Sequence, residues 1–191
     1  MKLHFSGKYS GNPADLPNQR QVDGAVKFRE PSPEKFGIIS NLLSLVVIIF
    51  VLGIGFLRTG GFSFINSYGL IAAVISLIPH EFLHAICFVG DVYFFTYFEK
   101  GLLFVVGDED MSKGRFVLMS MLPNIVFGFI PFLIFLFFPS ASFLASFGGL
   151  AISAGTGDYI NVYNALTQVP ANSKIYMYRM NTYWYSDTLG R

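Results

Sequence analysis

Cysteine is almost absent from this chain of 191 residues: Cys87 stands alone, so no disulfide can form within it. Charge is scarce as well. Charged residues make up 13% of the sequence against 53% hydrophobic and 17% aromatic, a balance typical of membrane proteins. The net charge is +1 and no sustained basic stretch interleaves with aromatics, which argues against a nucleic-acid partner. Residues 1 to 35 lack the basic start and apolar core of a secretory signal, so the first span itself is expected to direct insertion. Neither an internal repeat nor a low-complexity tract is visible.

What the chain does have is length without charge. Gly37 to Leu57 is an uncharged run of about 32 Å as a helix, enough to cross hydrocarbon. A second apolar run follows from Ser67 to Val89, after the Gly60-Gly61 break. From Phe116 to Gly157 no charged residue occurs, and Pro139-Ser140-Ala141-Ser142 divides this stretch at a turn. The pattern predicts an all-α integral membrane protein with four transmembrane helices, at 37–57, 67–89, 116–138 and 142–166. Residues 36–167 then form the membrane domain, between polar cytoplasmic tails at 1–35 and 168–191. The first tail, with Pro13, Pro17, Pro31 and Pro33, reads as solvated, with His4 at its surface.

Between the second and third spans, Val92 to Val106 carries aromatic and β-branched runs on either side of Glu99-Lys100-Gly101. This predicts a small β-hairpin, and the same residues also suit an aromatic belt against lipid headgroups. In the second tail, Ile175 to Tyr178 reads as an extended segment. The tails and the 90–115 loop hold all of the thirteen Lys and Arg except Arg58, so both termini are expected in the cytoplasm, at a plasma membrane.

Histidine occurs only three times, and two of the three stand in Pro79-His80-Glu81-Phe82-Leu83-His84. Residues four apart share a helix face, so His80 and His84 can aim their imidazoles at one cation. Glu81, beside the first of them, is placed to take a proton from a water. This is the H-E-x-x-H pattern of zinc hydrolases, in which a third protein ligand and an open position complete the centre. Ionisable residues are expensive inside a span, which adds weight to a functional reading. The plainer alternative is a buried hydrogen-bonded cluster, or a metal that only ties helices together. Cys87 reads as packing.

A third ligand must lie at the depth of the two histidines. His80 and His84 stand nine and five residues before the end of the second span, and Asp158 eight before the end of the fourth. No other acidic residue lies in the first, third or fourth span. Asp158 is therefore assigned as the third metal ligand. Gly148, Gly149, Ser153, Ala154, Gly155 and Gly157 allow close helix approach there. Asn124 lies about nine residues into the third span, just after Pro123, and a kink at the proline aims its amide at the same layer. Asn124 is a catalytic candidate that would position Asp158, hold the water or stabilise an oxyanion. Asn161 and Asn164 are supporting or interfacial residues.

Together these features resemble the zincin peptidase family, small multi-pass membrane proteins long catalogued as a domain of unknown function and distantly similar to site-2 intramembrane metalloproteases. The resemblance runs from about residue 65 to 180. It rests on the H-E-x-x-H span, the hairpin-like insert, Ser112-Lys113-Gly114-Arg115-Phe116 before Pro123, and Gly155-Thr156-Gly157-Asp158. It implies a Zn2+ peptidase with His80, His84 and Asp158 as ligands and Glu81 as general base. In site-2 proteases the third ligand lies in Leu-Asp-Gly, whereas Tyr159 follows Asp158 here, and no PDZ-like domain is visible.

The expected activity is hydrolysis of peptide bonds in membrane or membrane-proximal substrates, with the lipid bilayer as surroundings. The alternative is a non-catalytic membrane scaffold. A single cluster of ionisable groups disfavours a transporter, which needs polar residues along a path.

Overall fold

Strand, rather than solvated tail, begins the chain. A computed structural model describes residues 1–186, apart from the side chains of residues 33 and 34. In chain order the strands are β1 (Lys2–Lys8), β2 (Val26–Lys27), β3 (Asp91–Tyr97), β4 (Leu102–Gly107), β5 (Met111–Ser112), β6 (Ser173–Tyr178) and β7 (Asn181–Ser186). The helices are α1 (Pro33–Thr59), α2 (Ser67–Ile75), α3 (Leu77–Ala85), α4 (Lys113–Pro123), α5 (Ile130–Phe137), α6 (Ser142–Ala154) and α7 (Thr156–Gln168), with a π-helical segment, Asn124–Phe129, between α4 and α5. The chain divides into two compact units, and α3, α4 and α7 each run from one into the other.

One unit gathers Met1–Glu30, Glu81–Ser120 and, of the described residues, 161–186. Among the described residues it holds two sheets, ordered β1-β3-β4 and β2-β7-β6-β5. β3 and β4 pair antiparallel, Val92 opposite Gly107 and Tyr97 opposite Leu102, which is the predicted hairpin. Gly101 closes its turn at φ 62°, a conformation that glycine adopts without strain. β1 then adds to β3 in parallel, so β3 is flanked on both sides. The proline-rich stretch behind β1 is also ordered: Leu16 is buried with Tyr9, Phe95 and Val106. Near the C-terminus the expected extended segment lies within β6, paired antiparallel to β7. A second core joins Phe28, Phe88, Val92, Met111, Phe116 and Ile175.

The other unit comprises Pro31–His80 and Met121–Ile160. α1 is exposed and apolar along almost its whole length, as a helix in contact with lipid would be. α6 is the opposite, packed against α1, α2 and α5 with Ala145, Ser146, Gly148, Gly149, Ile152 and Ser153 buried. Its small residues allow this. A Cβ on Gly148 would stand 2.6 Å from the Phe132 backbone nitrogen and 2.7 Å from the Gly128 carbonyl oxygen.

The architecture is mixed α/β, which corrects the all-α expectation of four spanning helices. Among the described residues two helical stretches, Lys35–Thr59 and Lys113–Phe137, are long and apolar enough to cross a membrane. α2 and α3 make a third if the pair, bent by 40°, is one span. The expected fourth span breaks at Gly155, and beyond the break α7 carries Asp158, Asn161, Asn164, Thr167 and Gln168. β1, β2, β5 and β7 escaped the prediction because their residues are too mixed in polarity to mark a core until the strands pair.

Candidate metal centre

The motif helix begins at a bend whose cause is in the sequence. Pro79 has no N–H to give the Ile75 carbonyl, so the helical ladder is interrupted where α2 ends. The chain recovers at once: the His80 N–H donates to the Ser76 carbonyl at 2.8 Å. On α3 the ligand atoms of His80, Glu81 and His84 all lie within 4.8 Å of one another.

His80 faces the first turn of α7. Its Nε2 is 3.2 Å from Asp158 Oδ2, and both side chains are largely buried. The same oxygen accepts a hydrogen bond from Asn124 Nδ2 at 2.7 Å. Asn124 is itself buried, at the start of the π-helical segment. Gly155 makes room for it, because a Cβ there would overlap the Asn124 amide oxygen. His80, Asp158 and Asn124, drawn from three places in the sequence, thus stand together.

His84 is buried and oriented by a backbone group: its Nδ1 donates to the Met119 carbonyl at 2.8 Å. With the proton on Nδ1, Nε2 carries the ring lone pair that a metal requires.

These residues suit a zinc ion. Zinc takes imidazole nitrogen and carboxylate oxygen at about 2.0–2.2 Å in a tetrahedron, which sets neighbouring ligand atoms about 3.3 Å apart. The His80–Asp158 separation of 3.2 Å is that spacing. The Nδ1 bond of His84 gives it the tautomer of a ligand, and a donor set of two imidazoles and a carboxylate is one that zinc accepts readily.

A protein-family model described as "putative zincin peptidase" matches residues 73–174, more than half of the chain. The chain belongs to this family. The matched region includes α3, Asn124 and Asp158, and the zincin description implies zinc. No curated protein and no solved structure matches the chain.

Two features of the surroundings had no signal in the sequence that we read. Glu109, within the run Asp108-Glu109-Asp110, accepts from the N–H groups of Val89 at 2.9 Å and Gly90 at 2.6 Å, and pairs with Arg115. Arg115 also donates to the Cys87 carbonyl at 2.7 Å, so the turn after α3 is tied to the start of α4. Met119 is the other feature, as a carbonyl acceptor has no side-chain signature. Asn164 lies elsewhere: its Oδ1 accepts from Gln168, whose own Oε1 accepts from the Arg29 N–H.

Proposed function

We propose that the chain is a membrane-embedded zinc metalloendopeptidase of site-2-protease-like type, with His80, His84 and Asp158 as metal ligands and Glu81 as general base. The observation that carries the reading is the 3.2 Å approach of His80 Nε2 to Asp158 Oδ2, on the helix that bears the H-E-x-x-H motif. Zinc bound there would acidify a water and polarise the scissile carbonyl.

The side chains divide the remaining work. Glu81 takes the proton of the attacking water and returns it to the leaving amine, so one carboxylate serves as base and then acid. Asn124 holds one carboxylate oxygen of Asp158 through its amide, which supports a positioning role over the other two considered for it. His84 is held in one ring orientation by the Met119 carbonyl.

Substrates are membrane or membrane-proximal proteins, reached within the lipid bilayer. A helical substrate hides its carbonyls in its own hydrogen bonds and must be extended at the cleavage point. Strand addition would hold it extended, and because β3 is already flanked on both sides, the addition would be to β4. Residues 1–30 and 161–186 belong to one compact unit, which supports the placing of both tails on the same side of the membrane, and the Lys/Arg distribution favours the cytoplasm.

A non-catalytic scaffold is the second reading, favoured by the hydrogen bonds that already join His80, Asp158 and Asn124. The zinc content and proteolytic activity of purified wild type, His84→Ala, Asp158→Ala and Glu81→Gln distinguish the two. The enzyme predicts zinc in wild type and Glu81→Gln, weakened or lost in the other two, with cleavage reduced about 10²- to 10⁴-fold in Glu81→Gln. Absence of zinc from folded wild type supplied with the metal would sink the peptidase. Zinc with no Glu81-dependent cleavage would favour the scaffold.

A further inference from the structure

The Met119 carbonyl that orients His84 sits four residues before a proline. In an unbroken α-helix the N–H of residue 123 would donate to the carbonyl of residue 119. Pro123 has no N–H, and it is buried within the helical run from Lys113 to Phe137. The acceptor released by the proline is the one that His84 Nδ1 reaches, at 2.8 Å. A helix–helix contact that would otherwise involve a carbonyl committed to its own helix is thus made with a carbonyl the proline has released.

We propose that Pro123 is a positioning residue for the metal centre: it reserves the Met119 carbonyl for His84, and so sets the imidazole tautomer that presents Nε2 to zinc. The proposal rests on the zinc-site reading above. Free imidazole favours the opposite tautomer, with its proton on Nε2, and the Met119 acceptor works against that preference at His84. An N–H restored at position 123 would share the Met119 oxygen, drawing the carbonyl back along the helix axis and weakening the hold on Nδ1–H. Partners of this kind behind metal-ligating histidines are worth about 10- to 100-fold in metal affinity.

Pro131 is the natural control. It interrupts the same helical run two turns later, beyond the π-helical segment, where Met119 is out of its reach. Wild type, Pro123→Ala and Pro131→Ala are compared in detergent by two measurements. The first is zinc affinity, by competition with a chromogenic chelator. The second is the ¹⁵N chemical shifts of the histidine rings in zinc-free protein above the imidazole titration, with the His84 signals assigned from their loss in His84→Asn.

The expected result is an affinity lower by about 10- to 100-fold in Pro123→Ala, with the His84 ring shifted toward the Nε2–H tautomer. Pro131→Ala stays within about threefold of wild type by the same standard. Equal losses in the two variants would make the prolines mere kinks and overturn the proposal. Wild-type affinity and tautomer in Pro123→Ala would overturn it too. If wild type binds no zinc, the metallopeptidase reading fails, but the zinc-free ring shifts still decide whether Pro123 sets the His84 tautomer.

Discussion

At Gly155 a single methyl group would reach the candidate metal centre without touching a proposed ligand. The added carbon would overlap the Asn124 amide oxygen, whereas one at Gly157, two residues on, meets nothing within 4 Å. Gly155→Ala should therefore push Asn124 off Asp158 and lower zinc affinity by about tenfold or more, with Gly157→Ala as the silent comparison; chelator competition measures both. Glu30 is a different kind of residue-scale test. Burial raises its carboxyl above the ordinary range, opposed by a hydrogen bond to Thr182 and by the charge of Lys27. A raised acid favours the folded state fully below its unfolded pKa, and this contribution is lost as pH rises through the folded value, because the unfolded chain ionises first. Glu30→Gln should match wild type near pH 4 and become progressively more stable than it toward neutrality, as read by thermal unfolding at each pH.

Helices in the second unit meet where side chains are missing. A Cβ on Gly69 of α2 would overlap the Phe143 carbonyl oxygen of α6, and a backbone oxygen cannot turn aside as a flexible side chain can. Gly69→Ala should cost about 1–3 kcal/mol through overpacking. Gly53→Ala on α1, where nothing lies within 4 Å, should be neutral or gain up to about 1 kcal/mol from helix propensity. Thermal unfolding in one detergent compares the pair, and equal stabilities would argue against a tight α2–α6 crossing. The bends belong to this scale too. Pro79 lies where α2 gives way to the motif helix, at the 40° bend, and Pro123 and Pro131 bracket the π-helical segment that carries Asn124.

For the molecule as a whole, a metal bound by the native chain and not by the unfolded one adds to stability by mass action. Zinc at about 1,000 times its Kd would contribute about 4 kcal/mol. Chelation should therefore lower the Tm of wild type and leave that of His84→Ala almost unchanged, and a wild-type Tm indifferent to chelator would argue against a tight native-state site. Residues 1–30 and 161–186 belong to one unit built on strands, while an apolar helix such as α1 exposes its surface as lipid contact would require. These two kinds of surface explain why an average composition of membrane type hid a partly β architecture.

The sequence by itself determined what depends on near neighbours. Four-residue spacing puts His80 and His84 on one face of α3, an uncharged run is long enough to span or it is not, and a proline withholds an N–H from its own helix wherever it stands. Counting residues from the span ends also brought Asp158 to the level of His80, although the last of those spans is not one continuous helix. Only the tertiary structure decided what depends on partners far apart in the chain. The pairing of β1 with β3, the burial of Leu16, the space that Gly155 leaves for Asn124 and the acceptor that Met119 offers His84 are of this kind. The physical reason is range: helical periodicity is written over a few residues, while a strand's partner or a released carbonyl's donor is chosen only when distant segments pack.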